Sequence, residues 1–367
     1  MELNNLVVKL ISSTLSEDRK GFQNAAVTIM RKIQKEDELN AKKIADLLSP
    51  SLGIGLRGVN PSFLPVNQDS RLSLLQYEEI SSIEMPVIKK TLEIQLMDFV
   101  SERNHFSELI DNGITVPNKL LLYGAPGVGK TYVTRWLACT LHIPLLTVDL
   151  ASTISSYLGK SGQNLKTIFD FVRGKNCVLL LDEFDAIAKR RDDEGDLGEL
   201  KRLVNILLKE LETVSYDCIV VASTNHPQLL DPAIWRRFDR AIEIPLPNME
   251  ERKQIIERYL PQSKYACKIS LRRLLVWYMD KYSGSDIETF CDQVKRKYII
   301  SEKQNLDNII LSELRGRMCK LGKDEKKLMC VELQKNFSLS QRKISNIVDV
   351  PLTTVSRWLN KDKVEEI

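Results

Sequence analysis

Three sets of residues in this chain have types and spacing that could do chemistry. They are a glycine-rich turn bearing a lysine and a threonine, a pair of adjacent carboxylates, and a short arginine run. Leu120-Leu-Leu-Tyr leads into Gly124, Ala125, Pro126, Gly127, Val128, Gly129, Lys130 and Thr131, and a helical pattern starts at Tyr132. Glycine lets the backbone fold tightly enough for successive N–H groups to face one anion, and the following helix adds its positive dipole end. In that strand–loop–helix context Lys130 would reach the β- and γ-phosphates of a nucleotide, and Thr131 would hold Mg2+. Farther on, Cys177-Val-Leu-Leu-Leu ends in Asp182 and Glu183. After a phosphate loop, such a strand end assigns Asp182 to the metal ion and Glu183 to the attacking water. A third apolar run, Cys218 to Ala222, ends at Ser223-Thr224-Asn225, which offers an amide to the γ-phosphate or the water. Trp235-Arg-Arg-Phe-Asp-Arg240 places three guanidiniums in six residues. Guanidinium suits bidentate contact with phosphate oxygens; the six residues by themselves read better as solvated surface, a reading that loses weight because the run sits between two expected strands of the sheet.

The elements that must position these groups follow from periodicity. Short apolar strands are expected at 119–123, 145–149, 177–182, 218–222 and 241–244, with helices between them. That alternation predicts an α/β fold with a parallel sheet covered on both faces and a nucleotide at the strands' carboxyl ends. Residues 1–48 read as an N-terminal helical bundle, 49–84 as a linker, 85–249 as the nucleotide-binding core, 250–321 as a helical lid and 322–367 as a separate C-terminal unit.

Composition narrows the classes. Net charge is +4, so any basic surface must be local. The seven cysteines are scattered without a Cys-x-x-Cys pair, which argues against zinc and for a reducing, cytoplasmic setting. The polar start, Met1-Glu-Leu-Asn-Asn, does not read as a signal peptide, and no apolar run has the length of a membrane span.

Gly124 to Thr131, Asp182-Glu183, Asn225, Leu230-Asp-Pro-Ala, Arg237-Phe-Asp-Arg240 and Ser283-Gly-Ser-Asp-Ile-Glu288 stand in the order and spacing of AAA ATPases, and the chain resembles that family over roughly residues 85–300. The resemblance implies a three-layer αβα core with a P-loop and a helical lid, ATP and Mg2+ as cofactors, and ATP hydrolysis. It implies that Gly124 to Tyr132 and Asp182 bind the nucleotide, that Thr131 and Asp182 serve the metal, and that Asn225 is the sensor. It makes Arg237 and Arg240 fingers that reach a neighbouring subunit's nucleotide, which requires a homo-oligomer, typically a hexamer. No arginine stands at the start of the Ser283–Glu288 helix, which is similar to the branch of the family without one. Ser155-Ser-Tyr157-Leu158-Gly159-Lys160 resembles the pore loop of polypeptide-threading members, with Lys160 in place of the usual acidic residue. A tyrosine packed on the next helix is the plainer account of Tyr157. With the N-terminal helices, these motifs also look like bacterial AAA ATPases encoded beside subtilisin-like serine proteases, some of them in phage defence. That implies a protease partner.

The C-terminal stretch Ser340 to Leu359 resembles a helix-turn-helix, with apolar residues at 344, 350, 355 and 358, the small Ser345 at the helix contact, and Asp349 where the turn usually has glycine. If it reads duplex DNA, Thr353, Thr354, Arg357 and Asn360 would meet bases, with Ser356 and Lys361 beside them, and Arg342, Lys343 and Lys363 would meet phosphates. A small helical module for protein contact is the other reading. Three functions are therefore in play: an ATPase that remodels or threads a protein, a DNA-associated ATPase or regulator, and a scaffold assembled by ATP.

Overall fold

A computed structural model describes residues 59, 64–65, 73–150, 161–186, 197–302 and 305–365. The expected N-terminal bundle and the Tyr157-Leu158-Gly159 loop lie outside the described residues. The chain divides into two compact units, one containing residues 97–123 and 131–242, the other 85–96, 124–130 and 243–367.

The first unit is built on the sheet. Its elements in chain order are β1 (Gln76–Glu78), the end of α1 (Lys90–Asn104), α2 (Phe106–Asp111), β2 (Lys119–Tyr123), α3 (Lys130–Thr140), β3 (Leu145–Asp149), α4 (Ser161–Val172), β4 (Cys177–Asp182), α5 (Leu197–Thr213), β5 (Cys218–Thr224), the short α6 (Pro232–Trp235) and β6 (Arg240–Glu243). Strand order is β1-β3-β4-β5-β2-β6. The pairs β3–β4, β4–β5 and β5–β2 are parallel, as the alternation of strand and helix predicts. Every side chain from Cys177 to Leu181 and from Cys218 to Thr224 is buried, the pattern of central strands covered on both faces. Helix α4 turns Leu165, Ile168, Phe169 and Val172 inward at helical spacing. β2 lies beside β5, whereas β3, the next strand in the chain, lies beyond β4. That reversal puts a topological switch point at the carboxyl end of β2.

β1 is the exception to the expected strands. Gln76-Tyr-Glu78 falls in the stretch read as linker, yet it pairs antiparallel with Leu145–Thr147 at the edge of the sheet. An edge strand with one neighbour needs no apolar run, so nothing in its three residues marks it.

The second unit is helical. It contains the start of α1 and then α7 (Met249–Tyr259), α8 (Ile269–Tyr278), α9 (Gly284–Ile300), α10 (Leu306–Met318), α11 (Lys323–Phe337), α12 (Gln341–Val348) and α13 (Leu352–Glu365). Asn248 with Glu251 and Ser283 with Asp286 form capping boxes at α7 and α9. One continuous core runs from Ile255 and Leu274 through Phe290, Ile310, Leu314 and Met318 to Cys330, Leu333, Ile344, Val355 and Trp358. The last three helices are thus packed into the same core as the lid helices. Leu328 on α11 and Ile269 on α8 point to solvent despite their apolar character. The turn between α12 and α13 bears the expected left-handed residue, Asp349 at φ 58°. Ser345 donates to the Val350 carbonyl at 2.6 Å, and Arg315 of α10 holds the Asp349 carboxylate. No helix among the described residues is long and apolar enough to cross a membrane.

Candidate functional site

β2 delivers its last residue, Tyr123, to Gly124, and α3 starts at Lys130, so the loop occupies the strand-to-helix turn that the spacing predicts. Gly124, Gly127 and Gly129 all have positive φ. Two of them also lack room for a side chain. A Cβ on Gly124 would lie 2.1 Å from the Ile244 carbonyl oxygen, and one on Gly127 would lie 2.6 Å from Ser283 Oγ. The amide of Ser285 donates to the Gly127 carbonyl at 3.0 Å. The loop is therefore braced against the first residues of α9 within the second unit. Lys130 is buried, and its Nζ donates to the carbonyls of Gly124 (2.8 Å) and Ala125 (2.9 Å). A buried ammonium folded across the loop, at a helix start, leaves a cationic cradle of main-chain N–H groups sized for phosphate. This donor set fits a nucleoside triphosphate.

Beside the loop, Val87, Ile88, Val128, Ile244, Ile255 and Gly284 line a narrow, largely apolar cleft. Sequence reasoning missed it, because its walls come from distant stretches whose apolar residues look like ordinary core.

The carboxylates belong to the first unit. Asp182 ends β4, and its Oδ1 accepts from the buried Ser223 hydroxyl and, at 3.0 Å, from the Glu183 amide. Neutral donors orient this carboxylate without pairing it to a cation, so Asp182 fits Mg2+ chemistry, with Thr131 as the hydroxyl named by the loop motif. Glu183 follows at φ 51°, a conformation rare for a residue with a Cβ, and its side chain is exposed. Holding a glutamate there costs about 1–3 kcal/mol. The turn is held by Phe184, whose amide donates to the Ser223 carbonyl at 2.9 Å and whose ring packs edge-on against Phe238 at 5.8 Å.

One residue that sequence reasoning passed over is Asp185. Its side chain is 3% exposed and accepts from Thr224 Oγ1 at 3.0 Å and from the Asn225 amide at 3.3 Å. It fixes the backbone at Asn225, the expected sensor. The signal was present as the third carboxylate of Asp182-Glu-Phe-Asp185, but its partners lie on a different strand.

The arginine run folds along β2. Trp235 packs edge-on against Tyr123, and Asp239 accepts from the amides of Asn118 (2.8 Å) and Lys119 (2.9 Å). Arg240 therefore stands at the amino end of β2, opposite to the end from which the loop departs. Arg237 pairs with Glu212 at 2.5 Å, with side chains 41% and 46% exposed. Arg240 pairs with Glu102 at 2.6 Å with its side chain 27% exposed, and it lies over the Phe99 ring. In the C-terminal helices Thr353, Arg357 and Asn360 are exposed and Thr354 is half-buried.

Comparison with known proteins agrees with this geometry. Residues 120–246 match the family model described as "ATPase family associated with various cellular activities (AAA)". An uncharacterized AAA family ATPase of Sinorhizobium fredii is 35% identical over 219 residues, 58% of this chain and 63% of that protein. A proteasome-activating nucleotidase of Methanothermobacter thermautotrophicus is 30% identical over 241 residues, 63% of this chain and 57% of that protein. An ATP-dependent zinc metalloprotease FtsH 1 of Alkaliphilus metalliredigens is 34% identical over 208 residues, 54% of this chain and 34% of that protein. The chain spans about three fifths of the length of the first two of these relatives. The matched segment contains the loop, the carboxylate pair, Asn225 and both arginines. Over residues 120–246 the chain is similar to the AAA family of ATPases.

Proposed function

We propose that this chain hydrolyses ATP to ADP and phosphate and spends the energy on a polypeptide substrate, as one subunit of a homo-oligomeric ring, typically six-membered in this family. The observation that carries the reading is Glu183. An exposed carboxylate in a left-handed conformation, one residue after a strand-end aspartate oriented by Ser223, suits a base that orients water. When bound, Mg2+ would neutralise developing charge on the phosphates. Lys130 would bind the phosphates, Asp182 and Thr131 would hold the metal, and Asn225 would sense the γ-phosphate or the water. Arg237 is the better candidate for a finger acting in trans, being more exposed and less enclosed than Arg240. The polypeptide substrate is supported by Tyr157-Leu158-Gly159 in the sequence and by the names of the relatives, one a proteasome-activating nucleotidase and one a metalloprotease. A subtilisin-like protease partner and a role in phage defence rest on sequence resemblance alone.

The test is Glu183→Gln. The variant should bind ATP with near-unchanged affinity, lower kcat by at least about 100-fold and accumulate as an ATP-loaded oligomer. Unchanged turnover would overturn the assignment. Tyr157→Ala should abolish unfolding of a tagged substrate while basal hydrolysis persists.

A second reading, duplex DNA bound by α12 and α13, is favoured by the left-handed Asp349 and the Ser345–Val350 bond. Both shape the turn of a helix-turn-helix. Thr353, Thr354, Arg357 and Asn360 would then face bases, and duplex binding with a salt slope would be lost in Arg357→Ala with Asn360→Ala.

A further inference from the structure

The positive charge of this chain is concentrated neither at the phosphate loop nor on α13. Residues 295–327 hold ten lysines and arginines against five aspartates and glutamates, a net +5, whereas the whole chain carries +4. The stretch runs from the end of α9 through α10 into the start of α11. There a groove of about 760 Å3 opens, lined among others by Tyr278, Tyr282, Arg296, Gly316, Arg317 and Lys320.

The groove's residues are arranged for a ligand. Arg317 is fixed in place: one guanidinium nitrogen donates to Gln293 Oε1 at 2.9 Å, and the group lies over the rings of Phe290 (4.9 Å) and Tyr282 (5.7 Å). Tyr278 and Tyr282 pack against each other with centroids 5.7 Å apart. The groove's acid, Glu313, is already engaged by Lys297, which leaves the lining with a surplus of cations. Arg296 and Lys320 are exposed and have no ion pair among the described residues. Gly316 sits in the interior of α10, where glycine costs about 1 kcal/mol relative to alanine. Packing does not require it, since a Cβ there would meet nothing within 4 Å. A helix that keeps a glycine facing an open basic groove leaves room for something to approach its backbone closely.

We infer that the groove between α9 and α10 binds the phosphodiester backbone of a nucleic acid. Arg296, Arg317 and Lys320 would neutralise phosphates, and the paired tyrosines would present a ring edge and hydroxyls to a sugar or base. Exposed Arg296 and Lys320 beside tyrosine edges and hydroxyls suit a sugar–phosphate backbone, and an acidic peptide is the competing occupant that poly-glutamate tests. None of the groove's lining residues belongs to the phosphate loop, the carboxylate pair or α13.

The experiment is fluorescence anisotropy on the full chain, using a labelled 20-base-pair duplex and the matching single strand over a range of salt concentrations, with poly-glutamate as competitor. Arg296→Glu with Lys320→Glu should weaken nucleic-acid binding at least about tenfold and reduce the salt slope by about two, because two phosphate contacts are lost. ATP binding, measured on the same sample, should be unchanged. Gly316→Ala should raise Tm and yet weaken nucleic-acid binding, an outcome that damage to the fold would not give. No binding by wild type, displacement of bound strand by poly-glutamate at equal charge concentration, or wild-type affinity in the charge-reversed variant would each overturn the proposal. Failure of the ATPase reading would show instead as absent ATP binding in every variant.

Discussion

Asp185 shows how a residue without a reactive role can decide whether a site works. It is buried and holds both the Thr224 hydroxyl and the Asn225 amide. Asp185→Ala leaves those two donors without this acceptor, which should cost about 1–3 kcal/mol. If its role is positioning, kcat should fall by more than that loss of folded protein explains, while the affinity for ATP changes little. Asp185→Asn, which keeps an acceptor oxygen, should recover most of the stability and part of the rate. A thermal melt together with a KM-against-kcat comparison reads both effects. Equal losses in stability and activity would reduce Asp185 to a structural residue.

At the scale of elements, the loop is braced by α9 through two close approaches. Gly127→Ala would need φ 74° and would press a methyl carbon to 2.6 Å from Ser283 Oγ, whereas Gly113, also at φ 74°, has nothing within 4 Å of its Cβ. Gly127→Ala should therefore abolish ATP binding by calorimetry, whereas Gly113→Ala should cost only the backbone strain, about 1 kcal/mol. Much of this layer was legible in the sequence. Runs such as Cys177 to Leu181 are apolar because both faces are covered, and the loop glycines stand where the turn needs them. The expected strands at 119–123, 145–149 and 177–182 coincide with β2, β3 and β4. What stayed hidden shares one cause. β1 takes its identity from a neighbour, the apolar cleft is assembled from residues 87, 128, 244 and 255, and Asp185 acts across to β5. Each depends on contacts between segments far apart in the chain, and a one-dimensional pattern does not encode those.

For the whole molecule, the arginine geometry makes a prediction about assembly. Arg240 stands at the amino end of β2 and the phosphate loop leaves the carboxyl end, so a finger and a loop from one copy belong to opposite ends of one strand. Arg237→Ala protein should bind ATP normally and hydrolyse it at least about 100-fold more slowly. Lys130→Ala protein should not bind it. Mixing the two should restore part of the activity, because a mixed assembly contains interfaces with an intact loop facing an intact Arg237. A steady-state phosphate-release assay on mixtures checks this, and strictly additive rates would exclude catalysis in trans.

The continuous core of the second unit has a consequence for the stability of the C-terminal helices. Ile310, Leu314 and Met318 share that core with Leu333, Ile344 and Trp358, so the hydrophobic interior of α11 to α13 is continuous with that of the lid. A cut before α11 would strip cover from fully buried lid side chains, and each large one uncovered forfeits about 1.5–3 kcal/mol. The tail should therefore unfold together with the lid. The two should melt as one cooperative block. A ligand gripping these helices would also raise the melting point of the lid, and with it the lifetime of the brace on the phosphate loop.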